Sequence, residues 1–247
     1  MKKYTSSIIL GSLLIIAWEM LARYINAMYI LPSPSKIVEK MWLLRKDLFL
    51  VHLPATMIIT LFGLAISIIL GVALAVAMSL NSSIERAIYP IVVVTQTIPV
   101  TALAPIFVLW FGYSIWSKVI VTILITFFPI TVNVYDGLRS TKREMEELLI
   151  TYGASKVQIF CKLKFPSSLP YFFSALKVAV PLSVIGAAIS EWLGAQEGLG
   201  YFSKRMMIQL DGAGVFAPIV LLSIVAIILV AIINLIENKI VKWRNEV

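Results

Sequence analysis

Residue types that commonly carry out chemistry are scarce in this sequence of 247 residues. It contains one histidine, His52, and one cysteine, Cys161. It therefore cannot form an internal disulfide bond, and it lacks the clustered soft ligands of a zinc site. None of its 12 glycines begins the G-x-x-x-x-G-K-[ST] pattern that binds nucleotide phosphates. We expect no catalytic residues, no metal and no nucleotide site in this chain.

Few charged residues approach the long apolar stretches, and those that do lie near their ends. Glu19 precedes Arg23 by four residues, a spacing that places both on one helix face and favours an ion pair without further function. Lys177 is expected to extend its ammonium group back to the membrane interface. Glu191 lies where another apolar stretch ends.

The apolar stretch from Ala87 to Phe111 is unusual because prolines and polar side chains interrupt it. Prolines leave backbone carbonyls unpaired, and broken helices at membrane depth are tolerated only where protein or water surrounds them. We therefore expect this helix to lie in the interior of the bundle and to line a pathway. With Glu191, the candidate pathway residues are Gln96, Thr97, Pro99, Thr101 and Pro105.

The longest polar stretch, residues 139–170, has the pattern of two short helices joined by a glycine. Acidic residues at 144–147 occupy the first turns of the first helix, where the helix dipole favours them. Gly153 is placed to end that helix in a left-handed turn. Ser155 and Gln158 fit a capping box that begins the second helix. Prolines at 166 and 170 are predicted to end it.

An apolar stripe runs along the first of these helices, because its apolar residues recur at helical spacing. Such a stripe fits a groove on a partner protein, or it packs against the chain's own helices. The pattern leaves both alternatives open. The stripe consists of Met145, Leu148, Leu149 and Tyr152.

Residues 147–154, Glu-Leu-Leu-Ile-Thr-Tyr-Gly-Ala, followed by Leu-Lys-Phe-Pro at 163–166, resemble the cytoplasmic EAA loop of ABC importer permeases. That pattern is Glu-Ala-Ala, three residues, Gly, nine residues, Ile, one residue, Leu-Pro. Glu147, Gly153 and Pro166 match in identity and spacing, whereas other apolar residues replace the two alanines, the isoleucine and the leucine. The resemblance implies that the loop is a coupling helix seated in a cleft of an ATPase subunit. The implied coupling residues are Glu147, Leu148, Leu149, Tyr152, Gly153, Ala154, Ser155 and Pro166.

Further segments resemble one branch of that family, the permeases of sulfonate, taurine, nitrate and thiamine-precursor importers. They are Leu-Pro-Ser-Pro at 31–34, the proline-containing region 98–112, Glu-Trp-Leu-Gly at 191–194 and Gly-Leu-Gly-Tyr at 198–201. The resemblance covers nearly the whole chain and implies the all-α fold of type I ABC importer permeases. It also implies several partners: a dimer of ATPase subunits that binds ATP and magnesium, a second permease copy in a homodimer, and an extracytoplasmic solute-binding protein. The implied location is the bacterial inner membrane, and the solute stays open.

Glu191 allows two interpretations within this resemblance. It precedes a glycine-rich turn at 194–200, so it could act at an outer gate or contact the binding protein. Alternatively, it is a solvated or helix-capping carboxylate. The sequence does not decide between these roles.

The elements that would hold these residues are long apolar helices. Mean hydropathy is +0.95, hydrophobic residues make up 60% and charged residues 14%, whereas soluble proteins have about 25% charged residues. We predict an all-α integral membrane protein of about six transmembrane helices, with both termini inside. The helices are predicted at 6–22, within 53–84, within 87–111, and at 119–135, 170–192 and 215–236.

The predicted organisation has three parts. Residues 1–50 form the first transmembrane helix and an amphipathic surface segment, 51–240 the core with its coupling loop at about 139–170, and 241–247 a cytoplasmic tail. A signal peptide is the alternative for the beginning, but no obvious small-residue cleavage site follows the apolar run. The excess of Lys and Arg on the inner side favours a topology with both termini inside, although the basic segment 36–46 weakens this argument.

Other classes of function fit less well. A secondary transporter or channel, the main alternative, usually needs charge within the membrane, and a membrane enzyme needs converging acids, bases or metal ligands. The net charge of +8 could indicate nucleic acid, but no basic stretch is interleaved with stacking aromatic residues. Lipid, not nucleic acid, is the expected surrounding.

Overall fold

The computed structural model describes residues 5–242, which are almost entirely helical and contain no strand. Lys2, Lys3 and Arg244, which contribute to the charge asymmetry, lie outside the described residues, as does most of the predicted tail. The helices are α1 (Thr5–Ile25), α2 (Pro34–Leu43), α3 (Arg45–Leu80), α4 (Ser82–Thr95), α5 (Val100–Phe111), α6 (Ile115–Arg139), α7 (Arg143–Thr151), α8 (Lys156–Gly194), α9 (Leu199–Ile208) and α10 (Gly212–Ile240).

Within the described residues, five helices are long and apolar enough to cross a membrane: α1, α3, α6, α8 and α10. The pair α4 and α5 meets the same criteria together, although the two are bent by 96° relative to each other. The prediction of about six spans in an all-α membrane protein is confirmed, with one span broken.

Helix α6 lies at the centre of the bundle and packs against both α3 and α8. Close approach depends on glycines that face the same residue, Thr122. A Cβ added to Gly63 would lie 2.5 Å from Thr122 Cγ2, and one added to Gly186 would lie 3.2 Å from Thr122 Cα. Small residues at helix contacts are the usual means of close packing in membranes.

Substitution of Gly63 by alanine should therefore destabilise the bundle. The added methyl group forces α3 away from α6, and overpacking of this kind costs about 1–3 kcal/mol. We expect a lower melting temperature for the detergent-purified Gly63→Ala variant. The matched control is Gly11→Ala on α1, where an added Cβ meets nothing within 4 Å. Equal melting temperatures for both variants would contradict the packing described here.

The second helix of the polar loop does not end at Pro166 and Pro170, which corrects the prediction. It continues through both prolines as α8, 39 residues long. A π turn at Phe160–Lys164 immediately precedes this part, and Pro166 lies in the first turn after it. The altered hydrogen bonding of a π turn accommodates a proline that has no N–H to donate.

Helix α6 is also longer than predicted, beginning at Ile115 instead of Val119. Lys118 does not interrupt it, because its Nζ donates to the carbonyl oxygens of Tyr113 and Ser114 at 3.0 and 3.2 Å. The side chain is 8% exposed. A buried ammonium group with two acceptors is tolerated inside the bundle.

Lys177, which was expected to extend to the membrane interface, has a partner that the sequence did not indicate. It forms an ion pair with Glu237 of α10, whose side chain is buried. Pairing offsets the cost of removing both charges from water. The pair connects α8 to α10 close to the C-terminal end of α10.

Helix α1 is peripheral, with Ala22 as its only buried residue. The predicted pair of Glu19 and Arg23 is present, with Oε1 and Nε 2.7 Å apart. Glu19 also accepts hydrogen bonds from the N–H and hydroxyl of Ser35 at 3.0 and 2.7 Å. The carboxylate therefore ties α1 to the beginning of α2.

An ion pair between Lys40 and Asp211, 2.7 Å long, connects α2 to the turn before α10. Burial alone would raise the pKa of Asp211, but hydrogen bonds from Lys40 and from the Gly214 N–H hold it below its usual value. Asp211 therefore keeps its charge, and the link between these segments is stable at neutral pH.

Candidate coupling site and solute pathway

Helix α7 projects from one end of the bundle, and none of its residues is buried. Met145, Leu148 and Tyr152 of the apolar stripe are exposed, whereas Leu149 is half-buried. Most of the stripe is therefore free to contact another protein. Between the two alternatives that the sequence left open, this exposure favours a groove on a partner.

The end of α7 is fixed by backbone hydrogen bonds. Gly153 has φ +77°, which confirms the predicted left-handed turn. Its N–H donates to the Ile150 carbonyl at 2.9 Å, and the Ala154 N–H donates to the Leu149 carbonyl at 2.9 Å. These two bonds form a Schellman motif, which satisfies carbonyls that the helix end leaves free.

The predicted capping box begins the next helix. Ser155 Oγ accepts from the Gln158 N–H at 3.3 Å, and Gln158 Oε1 accepts from the Ser155 N–H at 2.8 Å. The angle between α7 and α8 is thus set by a glycine turn and a cap, both local in sequence. Pro166 lies further along, half-buried within α8, where it shapes the helix that leaves the loop.

Two carboxylates of α7 have different partners. Glu146 forms an ion pair with Lys164 of α8, with 3.0 Å between Oε1 and Nζ. Glu147 pairs with Arg143 of its own helix at 2.8 Å, and both side chains are exposed. Glu146 therefore holds α7 against α8, while Glu147 stays accessible to a partner.

A second polar connection lies beside α7 and was not found from the sequence. Arg139 Nη1 donates to Glu85 Oε1 at 2.7 Å and to Tyr135 Oη at 2.6 Å. The bonds join the end of α6 to the first turn of α4. Since Glu85 and Arg139 are 54 residues apart, no local pattern indicates that they meet.

The proposed pathway residues lie at the bend between α4 and α5. Gln96, Thr97, Pro99 and Thr101 are exposed on the surface of the chain, as is Pro105 within α5. The prediction that this segment lies inside the bundle is wrong for a single chain. Pro99 lacks an N–H and has extended backbone, so the helix stops and the chain turns by 96° instead of continuing through the interior.

A cavity of about 1020 Å³ lies between α8 and α10, with Thr101 of α5 at its edge. Its size is that of a large ligand site. Among residues 5–242, apolar residues form most of the lining and no charged residue takes part in it. The polar contributions come from Thr101, Ser203, Ser223 and Asn234. Thr101 is the predicted pathway residue that reaches this cavity.

Glu191 is 1% exposed, so a solvated carboxylate is excluded. Its Oε2 accepts a hydrogen bond from the Gly200 N–H at 2.7 Å, in the first turn of α9. Glu191 is therefore a helix-capping carboxylate, and the helix that it caps is α9. Two further side chains, His52 and Thr56, accept from the neighbouring N–H groups of Gly198 and Leu199.

Within the part of the chain that the structure describes, no group of three or more His, Cys, Asp and Glu residues could hold a metal ion. The polar side chains near the cavity are hydroxyls and an amide. Such groups can donate and accept hydrogen bonds.

Comparison with known proteins agrees with this arrangement of membrane-spanning helices. Residues 63–242 match the family described as binding-protein-dependent transport system inner membrane component. The chain belongs to this family. The permease is 58% identical to the formylaminopyrimidine transport permease protein ThiX of Halalkalibacterium halodurans, over 95% of its own length and 94% of that protein. It is 31% identical to the riboflavin transport system permease protein RibX of Chloroflexus aurantiacus, over 87% of its own length and 81% of that protein.

Further relatives match at lower identity. The permease is 23% identical to the taurine transport system permease protein TauC of Escherichia coli, over 96% of its own length and 89% of that protein. Among solved structures, the MetNI methionine ABC transporter in an inward-facing conformation matches with a TM-score of 0.61 at 24% identity, covering 82% of the permease and 96% of that chain. The expected fold of ABC importer permeases is thereby confirmed.

Proposed function

We propose that the permease is the membrane subunit of an ATP-driven importer and that α7 docks in a cleft of a separate ATPase subunit. The observation that carries this proposal is the exposed apolar stripe of α7, held at a fixed angle by Gly153 and Ser155. An amphipathic helix presented in this way fits a complementary groove. ATP and magnesium would be bound by a dimer of ATPase subunits, and the permease would provide docking and the pathway.

The orientation in the membrane follows from the charges at the two ends of the bundle. Helix α7 lies at the same end as the pair of Glu85 and Arg139, while α2 and α9 lie at the other. If both termini are inside, the α7 end faces the cytoplasm, in agreement with the excess of Lys and Arg there. The compartment would be the bacterial inner membrane, with α9 facing an external solute-binding protein.

A second copy of the permease would complete the pathway. The polar bend at Gln96–Pro99 and the cavity beside Thr101 are exposed on a single chain, and a broken helix at membrane depth needs protein or water around it. In a two-fold homodimer, a single self-complementary surface would cover both the polar bend and the cavity with protein. The solute would cross between the two copies.

The solute is proposed to be an uncharged, planar nitrogen heterocycle of the formylaminopyrimidine class. One support is the similarity to ThiX at 58% identity. The other is the lining of the cavity, which has hydroxyls and an amide but no cationic residue. Sulfonates and nitrate carry negative charge, and taurine carries a sulfonate beside its ammonium group. A low-dielectric cavity without charged partners disfavours such ionised groups.

A secondary transporter or channel is the competing function. The two charged groups in the apolar part of α8 have structural partners in this chain: the partly exposed Lys177 pairs with Glu237, and the buried Glu191 accepts from the Gly200 N–H. Neither lines the large cavity. The arrangement therefore offers no charged group in the pathway that could couple an ion gradient to transport.

The decisive experiment is reconstitution of tagged permease, with the ATPase that copurifies with it, in proteoliposomes. We expect uptake of a formylaminopyrimidine only when ATP is on the α7 side and the binding protein is on the α9 side. The measured stoichiometry should be two permease copies per two ATPase chains. Uptake driven by an ion gradient without ATP would contradict the proposal, and a different permease as the second copy would contradict the homodimer.

A further inference from the structure

Helix α9 lies between two cavities. Its Gly200 and Ser203 line the cavity of about 1020 Å³, whereas Tyr201 and Lys204 line a second cavity of about 400 Å³. Trp192, from the end of α8, lines both cavities. The wall that separates them thus consists of α9 and the last turn of α8.

Three distant side chains hold the beginning of α9 through consecutive backbone N–H groups. His52 Nδ1 accepts from Gly198 at 3.1 Å, and Thr56 Oγ1 accepts from Leu199 at 2.8 Å. Glu191 Oε2 accepts from Gly200 at 2.7 Å. We call these three acceptors, His52, Thr56 and Glu191, the α9 clamp.

The clamp replaces an ordinary helix cap. The first N–H groups of a helix have no partner within it, and the residue before the helix usually supplies one. Gly198 precedes α9 and has no side chain to do so. The acceptors come instead from α3 and α8, so they fix α9 relative to two membrane-spanning helices.

All three acceptors are buried, with 7%, 2% and 1% exposure for His52, Thr56 and Glu191. Water cannot readily replace an acceptor that is lost, and a buried N–H without a partner is strongly disfavoured. Because Nδ1 of His52 accepts, its ring donates no proton at this atom. The seating of α9 therefore depends on each of the three side chains.

We propose that the clamp residues are positioning residues that hold α9 as a closed wall between the two cavities until solute transfer requires it to move. This inference rests on the proposed function, because it takes the larger cavity as part of the solute pathway. The clamp connects the wall to α3 and α8, and α8 continues to the coupling helix through the capping box at Ser155. Movement of α8 driven from the α7 end would thus reach α9 directly.

The test measures access to the larger cavity in the assembled transporter. Cys161, which is exposed and the only cysteine, is replaced by alanine, and Val184→Cys places a thiol at a lining residue of the cavity that is only 3% exposed. A membrane-impermeant maleimide is added on the α9 side. Thr56→Val removes the acceptor of the Leu199 N–H and also the donor to the His52 carbonyl. We expect it to raise the labelling rate by roughly tenfold or more, and Thr56→Ser, which keeps the hydroxyl, to leave the rate unchanged.

The pair His52→Leu and His52→Asn repeats the comparison at a second acceptor, since asparagine retains an acceptor and leucine does not. A folding failure at one position therefore leaves the test intact, and copurification of the ATPase confirms assembly of each variant. Equal labelling rates within both pairs would overturn the inference. Labelling requires no ATP-driven uptake, so failure of the proposed function and failure of the clamp are separately visible.

Discussion

Replacement of Gly153 by aspartate is expected to abolish uptake while the permease still inserts into the membrane. The residue has φ +77°, and an added Cβ meets nothing within 4 Å. The direct cost is therefore only the left-handed strain, about 1–2 kcal/mol. The larger effect is expected at the proposed contact with the ATPase, because the aspartate adds bulk and negative charge where α7 ends.

Three measurements separate these effects: permease abundance in membranes, copurification of the ATPase, and uptake. Gly153→Asp should retain the first and lose the other two, and Glu147→Ala should weaken copurification. Gly153→Asn is the matched control, because asparagine tolerates the left-handed turn and adds no charge. Normal copurification and uptake in both Gly153→Asp and Glu147→Ala would show that this loop is not the coupling element.

The local structure of the loop at 139–170 could be predicted from the sequence because it depends on neighbours in the chain. The turn at Gly153 uses carbonyls within the preceding four residues, and the cap at Ser155 uses Gln158, three residues on. Such patterns appear directly in one sequence. The number of apolar spans could be predicted for the same reason, since each is a continuous stretch.

Connections between distant segments could not be predicted. His52 and Gly198 are 146 residues apart, and Glu85 and Arg139 are 54 apart. Nothing near any of these residues indicates its partner. The role of Glu191 was left undecided for this reason: its position near a glycine-rich turn was visible, but the N–H that it binds belongs to a helix that only the fold brings beside it.

The prolines show a second limit of prediction from sequence, which concerns where helices end. Pro166 and Pro170 were expected to end a helix, a rule based mainly on helices in water. Here the preceding π turn at Phe160–Lys164 and the packing of α8 against α6 allow the helix to continue. Pro99 does end its helix, and the polar residues beside it are exposed because one chain shows only part of the proposed pathway.

Replacement of Gly198 by alanine is expected to unseat α9 and cause the largest loss of stability among the glycine variants. Gly198 has φ +118°, and an added Cβ would lie 2.2 Å from Glu191 Cδ. Backbone strain and steric collision therefore act together, and we expect the free energy of unfolding to fall by about 2–5 kcal/mol. Neither the backbone nor the buried carboxylate can easily shift, because the carboxylate also holds the Gly200 N–H.

The backbone strain and the collision with Glu191 can be separated by comparison with Gly112, which has φ +63° and nothing within 4 Å of an added Cβ. Gly112→Ala should lower the melting temperature slightly through strain alone, and Gly198→Ala should lower it much more. Combining Gly198→Ala with Glu191→Ala removes the colliding carboxylate. The double variant should then lose less stability than the sum of the two single variants, since residues in contact are not additive. Additive losses, or equal losses for Gly198→Ala and Gly112→Ala, would mean that Glu191 does not hold α9 as the structure shows.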